Sequence, residues 1–509
     1  MATPRRLALL VSPLLTVLVA HADVRLPAVF SDHLVLQQGK TVPVWGWAEP
    51  GEGVTVRFAG QTKTTTAGSD GRWQVALQDL KPGEPAKLTI AGRNTITIED
   101  VLVGEVWLGS GQSNMAMTVN RAKDFEQEMA AAKFPRIRMF REESGPAATA
   151  QHEGKGRWVA CAPDTVGGFS ATLYFFGREV HRTLGVPVGL INSSVGGTPI
   201  ESWIAPEVQR AAPELRAFFD GAATTAPTVA PEETRKKYEA DLARWEAAAK
   251  AAKAKKAKAP RKPQDPAVTT ARKGNVGGLF NGKIAPLIPY AIRGALWYQG
   301  EANSTPPKAP FYEAQLRLLV TDWRARWGEE LPFAWVQLPN FGGPGRDWPT
   351  VREAMLRATS LPKTGMAITI DIGEEKDIHP KNKQEVGRRL SLWALGTVYG
   401  RVVPATSGPL TAGHHVSGRE IIVRFTHTHG GLVARGGPLQ GFVLAGSDGQ
   451  WRPAQARIEG DKVIVSSPEV IQPVAVRYAW ENFPTCNLFN GAGLPASPFR
   501  TDAPALPAR

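Results

Sequence analysis

Cysteine is scarce in this sequence, which limits how the fold can be held together. Only Cys161 and Cys486 occur in 509 residues. Two thiols are too few for a zinc cluster and too few to cross-link a fold of this size. Their separation along the chain leaves open whether they pair. The fold must therefore rest on a large hydrophobic core, which a chain of this length can bury.

Long hydrophobic runs are also scarce. The one candidate, residues 7–20, follows Arg5 and Arg6 and precedes the small residues of Ala20-His21-Ala22. It is shorter than the roughly 20 apolar residues that a membrane span needs. The pattern is typical of a signal peptide over residues 1–22, cleaved after Ala22. We therefore expect a periplasmic or secreted protein that is not inserted in a membrane.

Acidic residues are missing from one stretch, and this explains much of the net charge of +13. Residues 250–262 carry seven Lys or Arg and no Asp or Glu. Without this run and the two arginines near the start, the chain is only weakly basic. A Lys/Ala-rich run is typical of a solvated segment. We therefore expect no nucleic-acid binding.

Both ends of the chain after residue 22 show a β pattern. In residues 23–98, short stretches of alternating apolar and polar side chains are separated by turn residues, at 42–47, 54–58, 73–77 and 87–90. Strands at this spacing are typical of a β-sandwich. Residues 401–509 return to the same pattern. We therefore expect a β-sandwich-like domain at each end.

Residues 99–400 show an α/β pattern instead. Apolar runs that suit strands buried in a parallel sheet occur at residues 101–108, 137–140, 186–191, 292–298, 333–338 and 367–372. Helical patterns occur at residues 171–184, 312–327, 350–360 and 383–399, the last with Asn382 as its N-cap. The alternation predicts a doubly wound parallel sheet. A surface insertion is expected at about residues 207–275, with a polar helix at 231–258.

Polar, glycine-bearing loops follow four of these predicted strands. They contain Ser113, Gly196-Gly197, Glu301 and His379. The carboxyl ends of parallel strands meet at one edge of a sheet, where ligands bind. A serine becomes a useful nucleophile only with a base such as histidine, which in turn needs an orienting carboxylate. The serine loop is not the Gly-x-Ser-x-Gly elbow, because Met115 stands where the second glycine would be.

The same loops carry a family resemblance. Several stretches, in order along the chain, resemble blocks of the sialate O-acetylesterase family of SGNH-type hydrolases: residues 26–37 (LPAVFSDHLVLQ), 104–115 (GEVWLGSGQSNM), 196–203 (GGTPIESW), 296–303 (LWYQGEAN), 371–373 (DIG), 377–383 (DIHPKNK) and 387–389 (GRR). The resemblance runs from about residue 26 to residue 500 and is interrupted by the insertion. One departure is Met355, where relatives usually have Gln, and this puts a nearby hydrogen bond in doubt.

This resemblance implies a fold and a reaction. The fold is an SGNH-type α/β domain, and the reaction is the removal of O-acetyl groups from carbohydrates by a serine esterase. Ser113 is then the nucleophile that carries the acetyl group, and His379 is the base. Asp377 and Glu301 remain rivals for the orienting carboxylate. Asp377 is slightly favoured, although it lies two residues before the histidine rather than the three that are usual in SGNH enzymes.

The resemblance also implies binding residues. The oxyanion would be held by the backbone N–H of Ser113, by that of Gly196 or Gly197, and by the Gln299 side chain. Asn303 and Arg352 are candidates for contacts with the substrate. We expect neither a cofactor nor a metal, since no group of His, Cys and Asp has the spacing of metal ligands.

The motifs do not identify the acetylated sugar. The family name suggests 9-O-acetylated sialic acid, whereas relatives also deacetylate plant polysaccharides such as xylan or xyloglucan. A carbohydrate-binding protein without activity is an alternative from another class, but it would not need Ser113 together with His379. A glycosidase would need two acidic residues facing each other across a cleft. The sequence gives no indication of the oligomeric state.

Overall fold

The computed structural model of the chain describes residues 23–220, 232–254, 263 and 276–502. The predicted signal peptide and the flanks of the helix in the predicted insertion lie outside these residues. Cys161 and Cys486 are both free thiols. No helix in the described ranges has both the length and the apolar character of a membrane span.

Six short strands form the amino-terminal module: β1 (Val35–Gln37), β2 (Val42–Trp47), β3 (Gly53–Phe58), β4 (Gln61–Thr66), β5 (Arg72–Leu77) and β6 (Ala86–Ala91). β2 pairs antiparallel with β5, while β3 lies between β4 and β6. In β3 the side chains of Val54, Val56 and Phe58 are buried and the residues between them are more exposed. This alternation is what directs one face of a strand into a core.

One long strand, β7 (Thr95–Gly111), joins this module to the α/β domain. Its first part pairs antiparallel with β6, and its last part pairs in parallel with strands on both sides. Every residue from Val101 to Gly111 is buried, whereas most of the residues before Val101 are not. The boundary predicted at residue 98 therefore falls inside a continuous strand.

The central sheet is completed by β8 (Ile137–Glu142), β9 (Gly156–Ala160), β10 (Val188–Ser194), β11 (Gly294–Tyr298), β12 (Phe333–Val336) and β13 (Thr364–Ala367). Its strand order is β13-β12-β11-β7-β10-β8-β9, and all pairs are parallel except that of β8 with β9. The chain goes from β7 to β8, returns to β10 beside β7, and then crosses to β11 on the other side of β7. The topological switch point, where ligands bind in such sheets, thus lies next to β7. The predicted fold class is confirmed.

Nine α-helices occur in the described residues: α1 (Ser113–Ala116), α2 (Phe125–Ala131), α3 (Ala171–Leu184), α4 (Pro206–Ala211), α5 (Arg216–Asp220), α6 (Glu232–Ala254), α7 (Tyr312–Trp327), α8 (Trp348–Ala358) and α9 (Lys383–Trp393). α3 packs against α9, and α7 packs against α8. The first pair shares a core with Trp107 of β7, and the second shares one with Leu108. Neighbouring residues of a strand point to opposite faces, so the two helix pairs cover opposite faces of the sheet.

α9 begins as the sequence predicts and ends earlier. The Asn382 side chain accepts a hydrogen bond from the Glu385 N–H at 3.2 Å, which caps the helix. The α-helix stops at Trp393 and continues as a π-helical turn, Ala394–Val398. The predicted helix at 383–399 is thus divided into two helical types.

The last predicted strand, residues 367–372, was placed wrongly. β13 ends at Ala367, and the chain then leaves the sheet. Arg389 of α9 donates to the Ile368 carbonyl and to both carboxylate oxygens of Asp371. These bonds hold the segment against the helix, and its remaining link to the sheet is the bond from the Thr369 hydroxyl to the carbonyl of Gln337, directly after β12.

Ten strands form the carboxyl-terminal module: β14 (Leu410–Ser417), β15 (Glu420–Thr426), β16 (Leu432–Ala434), β17 (Phe442–Gly446), β18 (Trp451–Pro453), β19 (Gln455–Glu459), β20 (Lys462–Ser466), β21 (Pro473–Tyr478), β22 (Leu488–Asn490) and β23 (Phe499–Arg500). They form three antiparallel sheets: β14-β15-β20-β19, β18-β17-β21-β23 and β16-β22. One core, which includes Ile421, Val463 and Tyr478, lies between them. Arg500 pairs with Glu353 of α8 at 2.8 Å and so ties this module to the α/β domain.

Candidate active site

Ser113 lies at the carboxyl end of β7, on the first residue of α1. Gly111 shapes the turn before it, with φ of +133°. A Cβ at this position would lie 2.2 Å from the Tyr298 carbonyl oxygen, so any larger residue would push the turn away from β11. The serine is therefore placed at the switch point by a turn that only glycine fits.

His379 lies within hydrogen-bond distance of this serine. Its Nε2 is 2.9 Å from Ser113 Oγ, although 266 residues separate the two in sequence. The ring is on the loop between β13 and α9, and its side chain is 26% exposed. Burial lowers the pKa of His379 below its ordinary value of 6.5. The imidazole is thus neutral near pH 7 and can accept the serine proton.

Of the two rival carboxylates, only Asp377 contacts the histidine. Asp377 Oδ1 lies 3.4 Å from His379 Nδ1 and accepts a hydrogen bond from the His379 backbone N–H at 2.9 Å. That backbone bond is the main reason why the pKa of Asp377 is lowered. The Asp377 side chain is 44% exposed, so solvent weakens the effect of its charge on the ring.

Glu301 is buried and lies against a different partner. Its Oε1 accepts a hydrogen bond from Asn114 Nδ2 at 2.6 Å, and its Oε2 has no partner among the described residues. Burial raises the pKa of this carboxyl. The geometry therefore places Glu301 against Asn114, the residue after Ser113, and not beside His379.

Asn114 and Lys383 are buried residues next to the site, and no role was predicted for either of them from the sequence. The Asn114 amide donates to the carbonyl of Ile378, next to His379, at 3.0 Å. Lys383 is fully buried and donates to Asn114 Oδ1 at 2.7 Å and to the Pro380 carbonyl at 2.8 Å. Burial lowers the pKa of Lys383 to about 7. Asn114 thus fastens the serine loop to the histidine loop. Both residues lie in the stretches that resemble the family, but only the tertiary structure shows that they form a hydrogen bond with each other.

Gly196 lies directly beside Ser113. A Cβ on Gly196 would be 3.4 Å from Ser113 Cβ, in the space next to the hydroxyl. Gly196 and Gly197 are exposed, and neither backbone N–H has an acceptor within the described part of the chain. Gly197 adopts φ of +72° in this turn. A free N–H beside the nucleophile is what an oxyanion requires.

The predicted role of Gln299 as an oxyanion donor does not fit the structure. Its side chain is fully buried, and its amide nitrogen lies within 3.2 Å of three internal acceptors: Gln112 Oε1, the Thr198 carbonyl and Asn303 Oδ1. An amide has only two N–H groups, so none is left for a ligand. Gln299 instead joins the loops that carry Ser113 and Gly196.

The two predicted substrate contacts are also internal. Asn303 is fully buried and donates to Glu201 Oε2 at 2.8 Å. Arg352 is fully buried, and its guanidinium donates to four backbone carbonyls, those of Leu338, Pro339, Glu481 and Asn482. A saturated, buried guanidinium cannot reach a substrate. Arg352 joins α8 to the carboxyl-terminal module.

Met355, the departure from the family pattern, fills a buried apolar space. Its side chain is fully buried, and a Cβ on Gly300 would lie 2.9 Å from its Cε. Gly300 separates Gln299 from Glu301 in the loop that follows β11. The methionine therefore supports this loop by packing and not by a hydrogen bond from its side chain.

A cleft of about 400 Å³ opens next to Ser113, lined in part by Ala116, Gly196, Arg141 and Lys283. Lys283 pairs with Glu142 at 2.8 Å, and both side chains are buried. Arg141 is exposed and has no ion-pair partner within the described ranges. Over the same ranges, no group of three His, Cys, Asp or Glu side chains is placed to hold a metal ion. Glu142 and the exposed Glu143 also line the cleft, so it offers backbone donors and side chains of both charges to a polar ligand.

Comparisons with known proteins identify the family of the chain. Residues 103–257 and 282–394 match the model of a family described as carbohydrate esterase, sialic acid-specific acetylesterase. The sialate O-acetylesterases of Rattus norvegicus and Homo sapiens are each 27% identical to the chain over 93% of its length, and the matches cover 94% and 92% of those proteins. A crystal structure of a carbohydrate acetylesterase from Xanthomonas citri is 34% identical, with a TM-score of 0.80 over 94% of this chain and 99% of that one. The chain is thus a carboxylic ester hydrolase, and it belongs to the sialic acid-specific acetylesterase family of carbohydrate esterases.

Proposed function

We propose that the chain removes O-acetyl groups from carbohydrates through an acetyl-enzyme on Ser113. The observation that carries this proposal is the 2.9 Å contact of Ser113 Oγ with His379 Nε2, next to the free backbone N–H of Gly196. A nucleophile, its base and an oxyanion donor are the three parts that acyl transfer needs.

The reaction has two halves. Ser113 Oγ attacks the acetyl carbonyl carbon while His379 Nε2 takes the hydroxyl proton, and the backbone N–H groups of Ser113 and Gly196 hold the oxyanion. The tetrahedral intermediate collapses, and the sugar oxygen leaves with the proton from His379. Water, deprotonated by His379, then attacks the acetyl-serine, and the second tetrahedral intermediate releases acetate as Ser113 Oγ leaves and takes the proton back from His379. Asp377 holds the ring and stabilises its charged form throughout.

The substrate is an acetylated sugar. The curated relatives are named for sialate, and Arg141 in the cleft is placed to bind a sugar carboxylate. Acetylated plant polysaccharide is the alternative. We further propose, from the signal-peptide pattern of residues 1–22, that the enzyme acts in the periplasm or outside the cell.

The acetyl-enzyme can be tested directly. We expect that acid-quenching a reaction with 4-nitrophenyl acetate traps one acetyl group on the peptide that contains Ser113, as measured by mass spectrometry. The His379→Ala variant should show no such adduct, because the serine then lacks its base. Acetate release by wild-type enzyme without any adduct, together with full activity of a folded Ser113→Ala variant, would refute the mechanism.

The pH dependence follows from the environment of His379. The base must be neutral, and burial lowers its pKa below 6.5. Activity is therefore lost as pH falls through this lowered pKa, and kcat/KM for 4-nitrophenyl acetate should have the midpoint of its acid limb below pH 6.5. An acid limb centred above pH 7 would contradict the geometry.

A further inference from the structure

Two buried side chains bind the backbone on both sides of His379. The Asn114 amide donates to the carbonyl of Ile378, the residue before the histidine, at 3.0 Å. The Lys383 ammonium donates to the carbonyl of Pro380, the residue after it, at 2.8 Å. The two side chains are also bonded to each other, since Lys383 donates to Asn114 Oδ1 at 2.7 Å. Both carbonyls that flank His379 are therefore held by one hydrogen-bonded unit.

This unit is attached to the nucleophile through the chain. Asn114 follows Ser113 directly in α1 and is fully buried. Its amide nitrogen also donates to Glu301 Oε1 at 2.6 Å, so both N–H groups and the oxygen of this side chain are engaged. The orientation of the amide is thereby fixed. A displacement of either loop would therefore change the 2.9 Å contact between Ser113 Oγ and His379 Nε2.

Lys383 occupies a place that is unfavourable for a lysine. It is the first residue of α9, where the helix dipole disfavours a positive charge. Its side chain is fully buried, and burial lowers its pKa to about 7. The carboxylates whose charges act on it, those of Glu301, Asp377 and Glu374, form no ion pair with it in the described ranges. Its Nζ lies 5.2 Å from the centre of the Tyr298 ring. Burying a charge without such a pair costs stability, so the fold alone does not explain this lysine.

The charge of Lys383 also acts on the base. Burial is the main reason why the pKa of His379 is lowered, and the positive charges of Lys383 and Arg121 lower it further. The charge of Asp377 acts in the opposite direction. Because the pKa of Lys383 is about 7, the lysine is mostly charged over the lower pH range in which the histidine titrates. The same residue therefore holds the histidine loop and favours the neutral ring.

We propose that Lys383 is a positioning residue of the deacetylation, which holds the loop of His379 against the loop of Ser113 at the distance that proton transfer requires. The inference rests on the proposed function of these two residues and adds a third residue to it. Neither Lys383 nor Asn114 lines the cleft, so both act on the chemical step and not on the binding of substrate. A displacement of about 1 Å between reacting groups costs on the order of 10²-fold in rate.

The first test is Lys383→Met, which removes the ammonium and keeps the length of the side chain. We expect kcat for 4-nitrophenyl acetate to fall about 10- to 100-fold while KM changes less than about twofold. The acid limb of kcat/KM should move to higher pH, because loss of the positive charge raises the pKa of His379. A fall in kcat that came only from a smaller folded fraction would leave this limb in place.

Arg121→Gln is the matched control for the charge. Arg121 is exposed, and its guanidinium has no hydrogen-bond or ion-pair partner in the part of the chain that the structure describes. It acts on His379 through its charge alone. Its replacement should move the acid limb in the same direction as Lys383→Met, but kcat at the pH of maximal activity should stay within about twofold of wild type.

Asn114→Ala is the matched variant for the geometry. It removes the link between the two loops and leaves the charge of Lys383 in place, so kcat should fall while the acid limb stays where it is. If Lys383→Met does not fold, this variant decides. Unchanged kcat in either folded variant would overturn the positioning role, and so would an unmoved acid limb in Lys383→Met. Neither result would affect the proposed role of Ser113, which is tested by the acetyl group trapped on its peptide.

Discussion

Ser113→Ala is expected to lower kcat for 4-nitrophenyl acetate at least about 10⁴-fold, because no other hydroxyl or thiol lies within hydrogen-bond distance of His379 in the described residues. The serine hydroxyl has one protein partner, His379 Nε2, and that ring is partly exposed. Its removal therefore leaves no buried group unsatisfied, and the variant should fold. Far-UV circular dichroism and the thermal midpoint would verify this.

The chain offers a matched serine as control. Ser110 lies near the end of β7, is fully buried, and its Oγ has no partner among the described residues. Ser110→Ala deletes the same oxygen three residues away, and it should retain wild-type activity and stability. If Ser113→Ala kept full activity in a folded protein, the nucleophile would have to be sought elsewhere.

The second large effect is expected from Asp377→Asn, which should reduce kcat about 10- to 100-fold. The substitution keeps an oxygen to accept the His379 backbone N–H but removes the charge that stabilises the protonated ring. The Asp377 charge raises the pKa of His379, so its removal should also move the acid limb of kcat/KM to lower pH. The loss should be smaller than in buried triads, since Asp377 is half exposed.

Glu301→Gln is the matched comparison. Glutamine can still accept the hydrogen bond from Asn114, and burial already favours the uncharged form of Glu301. We expect less than about a fivefold loss of kcat and no shift of the acid limb. A greater loss in Glu301→Gln than in Asp377→Asn would assign the orienting role to Glu301 and contradict the geometry.

Local patterns predicted most of the elements of the α/β domain. The helices Ala171–Leu184 and Tyr312–Trp327 have the predicted bounds, because their apolar periodicity and the glycine after each are local signals. The prediction of a strand at residues 367–372 was wrong, and the reason depends on a residue far away in the sequence. The apolar residues of this segment suit a strand, but the chain leaves the sheet after Ala367, where Arg389 from a helix later in the chain binds the Ile368 carbonyl and the Asp371 carboxylate.

The candidate site divides in the same way. Residue types and motifs pointed to Ser113, His379 and Gly196, and these lie together. They also pointed to Gln299, Asn303 and Arg352, whose polar groups are consumed by internal hydrogen bonds. A motif shows which side chains matter, but it does not show whether they face a ligand or the protein.

The sequence by itself determined the fold class and the family, and it predicted Ser113 and His379 as nucleophile and base, because periodicity and motif blocks are properties of the chain read in order. Tertiary structure decided which carboxylate contacts His379, which glycine lies beside Ser113, and which motif side chains are buried among other parts of the protein. These depend on distances between residues up to 266 positions apart in the chain. Such distances are set by how the sheet, its helices and the amino-terminal module pack. The same packing decides which buried polar groups become hydrogen-bond partners.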